Sequence, residues 1–154
     1  MNSELRHLIS DAPRVMVVDG SKLVRKLVGD VLVKELPNVE VVACAGLAEA
    51  QAALATGPFH LVTTSLALPD GDGLALAKAV RTASGQAYVP VIVVSAHEEA
   101  TVAKRALAHG ASGYIPKSSP VESIIEAVRS VLDGDVWLPA QLAAGSSELK
   151  SDEA

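Results

Sequence analysis

The chain has 154 residues, of which 49% are hydrophobic and only 3% aromatic, and its net charge is −5. This length suits one domain, and a core of Val, Leu, Ile and Ala is typical of buried parallel strands flanked by Ala-rich helices. The acidic balance argues against a nucleic-acid surface, because phosphate contacts need clustered Lys and Arg.

The single cysteine, Cys44, excludes an internal disulfide and a cysteine-based zinc site. Because it lies in an apolar strand pattern, we interpret it as a small buried core residue. The N-terminus lacks the blocks of a signal peptide, and no apolar run approaches the length of a membrane span. We therefore expect a cytoplasmic protein that does not contact membranes.

Short apolar runs alternate with helical patterns along most of the chain. The predicted strands are Arg14–Val18, Val39–Cys44, Phe59–Ser65, Val89–Ser95 and Tyr114–Lys117. The 3.6-residue spacing of apolar positions predicts five helices. The first covers Ser21–Leu36, the second Leu47–Thr56 and the fourth about 98–109, while the third ends at about Ser84 and the fifth at Asp133. Ser119 is expected to cap the last helix, with Pro120 at its first position. This alternation predicts an α/β domain with a parallel sheet and helices on both faces.

The ends of the chain differ from this pattern. Residues 1–12 are polar and are expected to form an N-terminal extension, while 13–133 form the domain. Residues 134–154 are expected to form a C-terminal tail with an ordered start and a frayed end.

A polar residue stands where each of four predicted strands runs out. These residues are Asp19, Ser65, Ser95 and Lys117. Ligands bind at the carboxyl ends of strands in parallel α/β sheets, so we expect the four side chains to line one cleft. The set resembles an active site but contains a single carboxylate.

Four stretches in order, VMVVDGSKLVRKLV, FHLVTTSLALPDGDGLAL, VPVIVVSAHE and GASGYIPKSSP, resemble the receiver domain of bacterial response regulators. The resemblance covers about residues 13–133. It implies a doubly wound, flavodoxin-like (βα)5 fold whose five-stranded parallel sheet has the order 2-1-3-4-5. The stretch from Gly110 to Pro139 is most similar to the branch in which the receiver precedes a LuxR-type helix-turn-helix domain.

In that family, an acidic pair and the aspartate that ends the third strand hold a divalent metal. This aspartate takes a phosphoryl group from a partner kinase. The resemblance places Asp19 and Gly20 at the acidic pair and Ser65 at the phosphoacceptor. In the family, a hydroxyl that ends the fourth strand and a lysine that ends the fifth contact the phosphoryl oxygens, and an aromatic residue on the fifth strand then changes rotamer. The resemblance places Ser95 at the switch hydroxyl, Lys117 at the lysine and Tyr114 at the switch aromatic.

The substitutions change the chemistry that this cleft can perform. Magnesium requires hard oxygen ligands, and Gly20 and Ser65 supply no carboxylate, so we expect weak or absent Mg²⁺ binding and no cofactor. A serine hydroxyl also needs a base before it can attack phosphorus. We therefore predict no catalytic residue and no enzyme activity.

Lys117 requires a partner in a partly closed cleft, and Asp19 is the candidate. We predict an Asp19–Lys117 contact. At Lys117–Ser118 we expect a trans peptide bond or a locally altered loop, because a cis bond without proline is costly. Asp70 and Asp72, in the loop after the third strand, are interpreted as turn and helix-capping residues.

The leading hypothesis is a receiver-like module of two-component signal transduction that acts by phosphorylation-independent protein contacts. The partner is another protein or a second copy, bound through the last two helices and the last strand. Candidate interface residues are Lys104, Arg105, Glu122, Glu126 and Arg129. The charges on these adjacent helices are opposite and could meet across a two-fold axis.

Several alternatives remain open. Lys117, Ser95 and Ser65 could bind a free phosphate or another anion, or the chain could be the receiver fragment of a larger DNA-binding regulator. A Ser65–Lys117 hydrolase pair lacks a glycine-rich elbow and an oxyanion hole. Direct nucleic-acid binding is not expected, because the basic run Lys22, Arg25 and Lys26 is short. The scattered histidines His60, His97 and His109 lack the spacing of metal ligands.

Overall fold

The computed structural model describes residues 12–83, 85 and 88–142. Helices and strands alternate through this part of the chain: β1 (Arg14–Val18), α1 (Lys22–Glu35), β2 (Glu40–Cys44), α2 (Leu47–Leu54), β3 (Leu61–Ser65), α3 (Gly73–Thr82), β4 (Val91–Ser95), α4 (Ala100–Ala108), β5 (Gly113–Pro116) and α5 (Val121–Leu132). A small antiparallel pair, Ala67–Leu68 with Gly71–Asp72, lies in the loop after β3. The predicted order of elements is confirmed, with bounds that differ by at most two residues.

The sheet has the order β2-β1-β3-β4-β5, and all its strands are parallel. This is the predicted flavodoxin-like arrangement. Alternate residues of a strand point to opposite faces, so Val15 and Val17 pack with α1 and α5, whereas Met16 and Val18 pack with α2 and α3. A third apolar cluster lies between the sheet and α4.

The prediction for the start of α5 was wrong. Pro120, not Ser119, is the N-cap of this helix, and no side chain caps it. The Ser119 amide instead donates to the Pro116 carbonyl at 2.9 Å, which closes a turn before the helix begins. The predicted trans geometry is confirmed, since the described residues contain no cis peptide bond.

Cys44 is buried at the end of β2, as predicted. Burial raises the pKa of its thiol, which keeps it in the neutral form of a small core residue.

After α5 the chain turns at Gly134, whose φ is +91°, and returns to the sheet beside β5. Leu142 is buried, and the structure describes the C-terminal segment as far as residue 142. The predicted frayed end and nearly all of the predicted N-terminal extension lie outside the described residues. The division into extension, domain and tail therefore stays a prediction.

Within the described residues, no helix combines the length and the apolar character that a membrane crossing requires.

Candidate functional site at the carboxyl ends of the strands

The strand order places the predicted cleft residues at one edge of the sheet. Asp19 follows β1, Ser65 and Ser95 end β3 and β4, and Lys117 follows β5. Asp19, Ser65 and Ser95 are buried. The backbone N–H of Lys117 donates to the Ser95 carbonyl at 2.6 Å, which extends the β4–β5 ladder into the cleft.

The predicted contact between Asp19 and Lys117 is present. Lys117 Nζ lies 3.1 Å from Asp19 Oδ2, and the two side chains are 31% and 5% exposed. Asp19 Oδ2 is buried and accepts no well-aligned hydrogen bond, so its partner within the described residues is the lysine charge. Asp19 Oδ1 accepts the Ser21 backbone N–H at 2.8 Å. Both carboxylate oxygens are therefore already used by the protein.

Ser65 is tied to its own loop. Its hydroxyl donates to the Ala67 carbonyl at 3.1 Å, and its carbonyl accepts the Thr64 hydroxyl at 3.0 Å. The backbone of Gly73 passes so close that an added Cβ would lie 2.0 Å from the Ser65 carbonyl oxygen. The loop thus depends on a glycine at the start of α3, and it holds the Ser65 hydroxyl against a carbonyl instead of a base.

Ser95 and Tyr114 meet around the backbone of His97. The Ser95 hydroxyl oxygen accepts the His97 N–H at 3.1 Å, while the Tyr114 hydroxyl donates to the His97 carbonyl at 2.8 Å. Tyr114 is completely buried and so has the inward rotamer. Burial raises the pKa of Tyr114, and its hydrogen bond with Ser95 opposes that shift.

The sequence and the fold agree with one family. Residues 15–129 match the response regulator receiver domain. The chain belongs to this family. It is 29% identical over 133 residues to the glycerol metabolism activator of Pseudomonas putida, covering 84% of this chain and 58% of that protein. It is 32% identical over 120 residues to chemotaxis protein CheY of Treponema pallidum, covering 77% and 82% of the two chains.

A solved structure of a LuxR-family two-component response regulator from Aurantimonas sp. SI85-9A1 has a TM-score of 0.77 to this chain, at 26% identity. The similarity covers 92% of this chain and 99% of that one. The receiver spans between 33% and 60% of the length of three of its curated relatives, the glycerol metabolism activator among them.

A divalent metal does not fit the receiver cleft as it is built. No group of three or more Asp, Glu, His or Cys side chains within the described residues is arranged to hold an ion. Asp19 is the sole carboxylate of the predicted set, and Lys117 already neutralises it. At Gly20, an added Cβ would lie 3.1 Å from the Pro69 ring, so a side chain there would have to displace that ring slightly.

The two other acidic residues of this region both cap helices, and Asp72 caps the helix that directly follows it, as predicted. The Asp72 carboxylate accepts the Leu74 N–H at 2.8 Å at the start of α3. Asp70 caps a different helix: it accepts the N–H groups of Leu47 and Ala48, at 2.6 and 3.0 Å, at the start of α2. These backbone hydrogen bonds hold the pKa of Asp70 below its usual range.

Asp70 approaches α2 so closely that an added Cβ at Gly46 would lie 2.6 Å from its Oδ1 atom. Sequence reasoning missed this long-range cap, because only the fold brings the loop after β3 next to α2. The one available signal was the glycine itself, which leaves room before a helix that lacks a Ser, Thr, Asp or Asn N-cap.

The predicted interface residues lie on two helices. Arg129 is exposed on α5, and its guanidinium lies 2.9 Å from Glu35 of α1. Their use as a partner surface stays a prediction. Glu122 and Glu126 are exposed, Arg105 is exposed on α4, and the neighbouring Lys104 is half-buried.

The basic run on α1 is partly engaged within the domain. Arg25 donates to the Asp19 carbonyl at 2.7 Å, and Lys26 pairs with Asp30 at 2.9 Å. His60 accepts the Arg14 N–H at 3.0 Å, so its described role is structural. The side chains of His97 and His109 contact Glu99 and the Arg105 carbonyl.

Proposed function

We propose that this receiver is a signalling module that works by protein contacts and does not undergo aspartyl phosphorylation. The observation that carries the proposal is the Asp19–Lys117 ion pair of 3.1 Å. Ser65 holds the phosphoacceptor position of the same cleft. The Lys117 ammonium neutralises the carboxylate that, by the resemblance, would bind a divalent cation. A neutral hydroxyl replaces the anionic nucleophile that the resemblance leads one to expect.

Phosphoryl transfer depends on positioning the reacting groups and on neutralising the transferring oxygens. Both oxygens of the Asp19 carboxylate already have partners, the Ser21 N–H and the Lys117 ammonium, so this carboxylate is a weak ligand for a metal ion. A serine nucleophile also requires a base. The one hydrogen bond of the Ser65 hydroxyl within the described residues goes to the Ala67 carbonyl, which cannot take up a proton. The same contacts argue against hydrolase activity at Ser65.

An anion-sensing function is the second candidate, and it requires the ion pair to open. Lys117 is 31% exposed, so its ammonium could swing toward an anion at the mouth of the cleft. Asp19 would then keep a buried charge without a partner, a cost that the anion must offset. The closed pair thus favours the protein-contact function over anion sensing.

The length of the relatives bears on the form of the whole protein. Since the receiver spans 58% of the glycerol metabolism activator, a second domain in a longer native chain is part of the proposal, with a DNA-binding domain as the candidate. The receiver would then act on that domain through the same protein surfaces.

The primary test is an intact-mass spectrum after incubation with Mg²⁺ and a small acyl-phosphate donor. The wild type is compared with a Ser65→Asp/Gly20→Asp double variant, which restores the two missing carboxylates. We expect no phosphate on the wild type and a hydroxylamine-sensitive phosphate on the variant. A hydroxylamine-sensitive phosphate on the wild type would show that another carboxylate accepts it, and would overturn the proposal.

The proposed partner surface is formed by α4, β5 and α5. Its charges are Lys104 and Arg105 on α4 and Glu122, Glu126 and Arg129 on α5. A Lys104→Glu/Arg105→Glu variant is expected to shift a homodimer to monomers in sedimentation velocity. A Lys22→Glu/Lys26→Glu variant changes the same charge on α1 and serves as the matched control. An oligomeric state unchanged by the α4 variant would count against this surface.

A further inference from the structure

The segment after α5 forms a single β-bridge at the edge of the sheet. The Trp137 N–H donates to the Ser112 carbonyl at 2.9 Å, and the Tyr114 N–H donates to the Trp137 carbonyl at 3.2 Å. Trp137 thus pairs in parallel with Gly113 of β5. The chain itself therefore covers the start of the outer edge of β5, within the proposed partner surface.

Side chains of this segment, residues 137–142, pack against both faces of the sheet. Trp137 packs against the apolar cluster that contains α1 and α5. Leu138 and Leu142 pack against the other cluster, which contains Ala103 and Ala106 of α4. We call residues 137–142 the strap, because they wrap the sheet edge from the α5 side to the α4 side.

The strap also contacts the residue predicted to be the switch aromatic. The backbone of Tyr114 is bonded to Trp137, and Leu142 is a buried member of the same apolar cluster as the Tyr114 ring. The ring is held inward at its other end by the bond from its hydroxyl to His97. Release of the strap would therefore remove contacts from Tyr114 at its backbone and around its ring.

The strap is fastened by few interactions. Among the described residues, two backbone hydrogen bonds join it to Ser112 and Tyr114, and a turn bond from the Leu142 N–H to the Pro139 carbonyl, 3.0 Å, closes its last part. The connection to α5 contains Gly134 in a left-handed conformation and the exposed Asp135 and Val136. Segments with few buried contacts open at a lower free energy than the core of a domain.

We propose that the strap is an intramolecular occupant of the α4–β5 part of the partner surface and opens as a unit before the domain unfolds. A partner protein reaches β5 and α4 only when the strap has left, and its departure removes the contacts of Trp137 and Leu142 with Tyr114. The regulatory consequence rests on the proposed use of this surface for protein contacts. The opening of the strap does not.

Native-state hydrogen exchange of the full chain tests the opening. The Tyr114 and Trp137 amides report on the strap, and the Val17 amide in β1 reports on the core. In Leu142→Glu, whose carboxylate cannot stay in the apolar cluster, we expect the two strap amides to exchange about 10- to 100-fold faster, the factor that corresponds to burying one leucine. The Val17 amide should keep its wild-type rate. Trp137, the chain's single tryptophan, should shift its emission to longer wavelength.

Gln141→Glu is the matched control, because Gln141 is exposed in the same turn and gains the same charge. Its exchange rates and emission should equal those of the wild type. Unchanged strap amides in Leu142→Glu would overturn the proposal. Equal acceleration of Val17 would overturn it too, because the strap would then open only with the core.

If Leu142→Glu does not fold, hydrogen exchange of the wild type at a series of low urea concentrations tests the opening instead. Strap amides that open at a lower free energy than Val17 support the proposal, and equal opening free energies contradict it. Phosphate on the wild type would overturn the proposed function without changing these rates. The two proposals can therefore fail separately.

Discussion

Lys117 Nζ lies 3.1 Å from Asp19 Oδ2, so a lysine that follows the outer strand β5 neutralises a buried carboxylate that follows the central strand β1. The two residues depend on each other unequally. Asp19 is 5% exposed and cannot reach water, whereas Lys117 is 31% exposed and can. Loss of the lysine should therefore cost more than loss of the carboxylate.

Lys117→Met is expected to lower the free energy of unfolding by about 2 kcal/mol, because the Asp19 charge stays buried without a partner. Asp19→Asn should cost about 1 kcal/mol, since the asparagine oxygen can still accept the Ser21 N–H and Lys117 can turn to water. Urea unfolding at neutral pH measures both. The double variant should cost less than the sum of the two single variants. Strict additivity would show that the contact contributes nothing.

Asp70→Asn should destabilise the domain at neutral pH, because the carboxylate that caps α2 is lost. Its pKa is lowered by the backbone N–H groups of Ala48 and Leu47, so the folded state favours the ionised form. That stability is present above the unfolded pKa of about 4 and is lost as the pH falls through the lower folded value. The urea midpoints of wild type and Asp70→Asn should thus converge in acid.

Asp135→Asn is the control for Asp70, because Asp135 is an exposed carboxylate beyond the end of α5. It should show no comparable difference at either pH. A midpoint difference for Asp70→Asn that persists in acid would mean that the amide disturbs α2 by some means other than the lost charge.

Gly73→Ala should destabilise the domain by about 3 kcal/mol or more, because its Cβ would lie 2.0 Å from the Ser65 carbonyl oxygen and the loop must move. Gly29→Ala is the matched change inside α1, where the nearest side-chain atom would be 3.8 Å away. It should stabilise the domain by about 0.5–1 kcal/mol, the usual gain over glycine in a helix. Chemical denaturation of both variants distinguishes the two cases, and equal destabilisation would contradict the close approach at Gly73.

Tyr114→Phe should cost about 1 kcal/mol at neutral pH through the lost hydrogen bond to His97. Burial raises the pKa of Tyr114 in the folded state, so the contribution of its neutral form is complete below the unfolded pKa of about 10. It is lost as the pH rises through the folded value. Tyr114→Phe should therefore lose less stability than the wild type in alkali.

Tyr88 is exposed, so a Tyr88→Phe variant is the stability control for Tyr114→Phe. The same variant allows the titration of Tyr114 to be followed without a second tyrosine. Tyr88→Phe should leave stability unchanged and leave Tyr114 as the one tyrosine of the chain. Ultraviolet difference spectra of this variant then follow Tyr114 alone. An apparent pKa at or below the value of a free tyrosine would contradict the buried inward ring.

Local pattern was sufficient to predict an α/β domain with a parallel sheet, because strands β1 to β5 are short apolar runs with a helical period between them. The strand order was implied by the resemblance to receiver domains. Local pattern also placed Asp19 and Lys117 together, since both follow parallel strands at one edge. The cap on α2 could not be found this way, because Asp70 lies 22 and 23 positions from the amides it binds. Ser119 was misassigned because a local cap signal was outweighed by the turn bond from its N–H to Pro116.

The strap was also beyond sequence reasoning. Trp137 and Leu138 follow a turn, but a pair of apolar residues is too short a pattern to predict a bridge to the edge of the sheet. Only the bonds to Ser112 and Tyr114 show where the segment packs.

Covering β5 leaves the two margins of the sheet unequal. Within the described residues, β2 has no strand on its outer side, and its sequence, EVVAC, places Val41 and Val42 beside unpaired backbone groups. Unpaired edges are where strands of separate molecules join into aggregates. Intermolecular strand pairing in the folded state is therefore directed to β2, and each opening of the strap exposes a second such margin on the opposite side of the molecule.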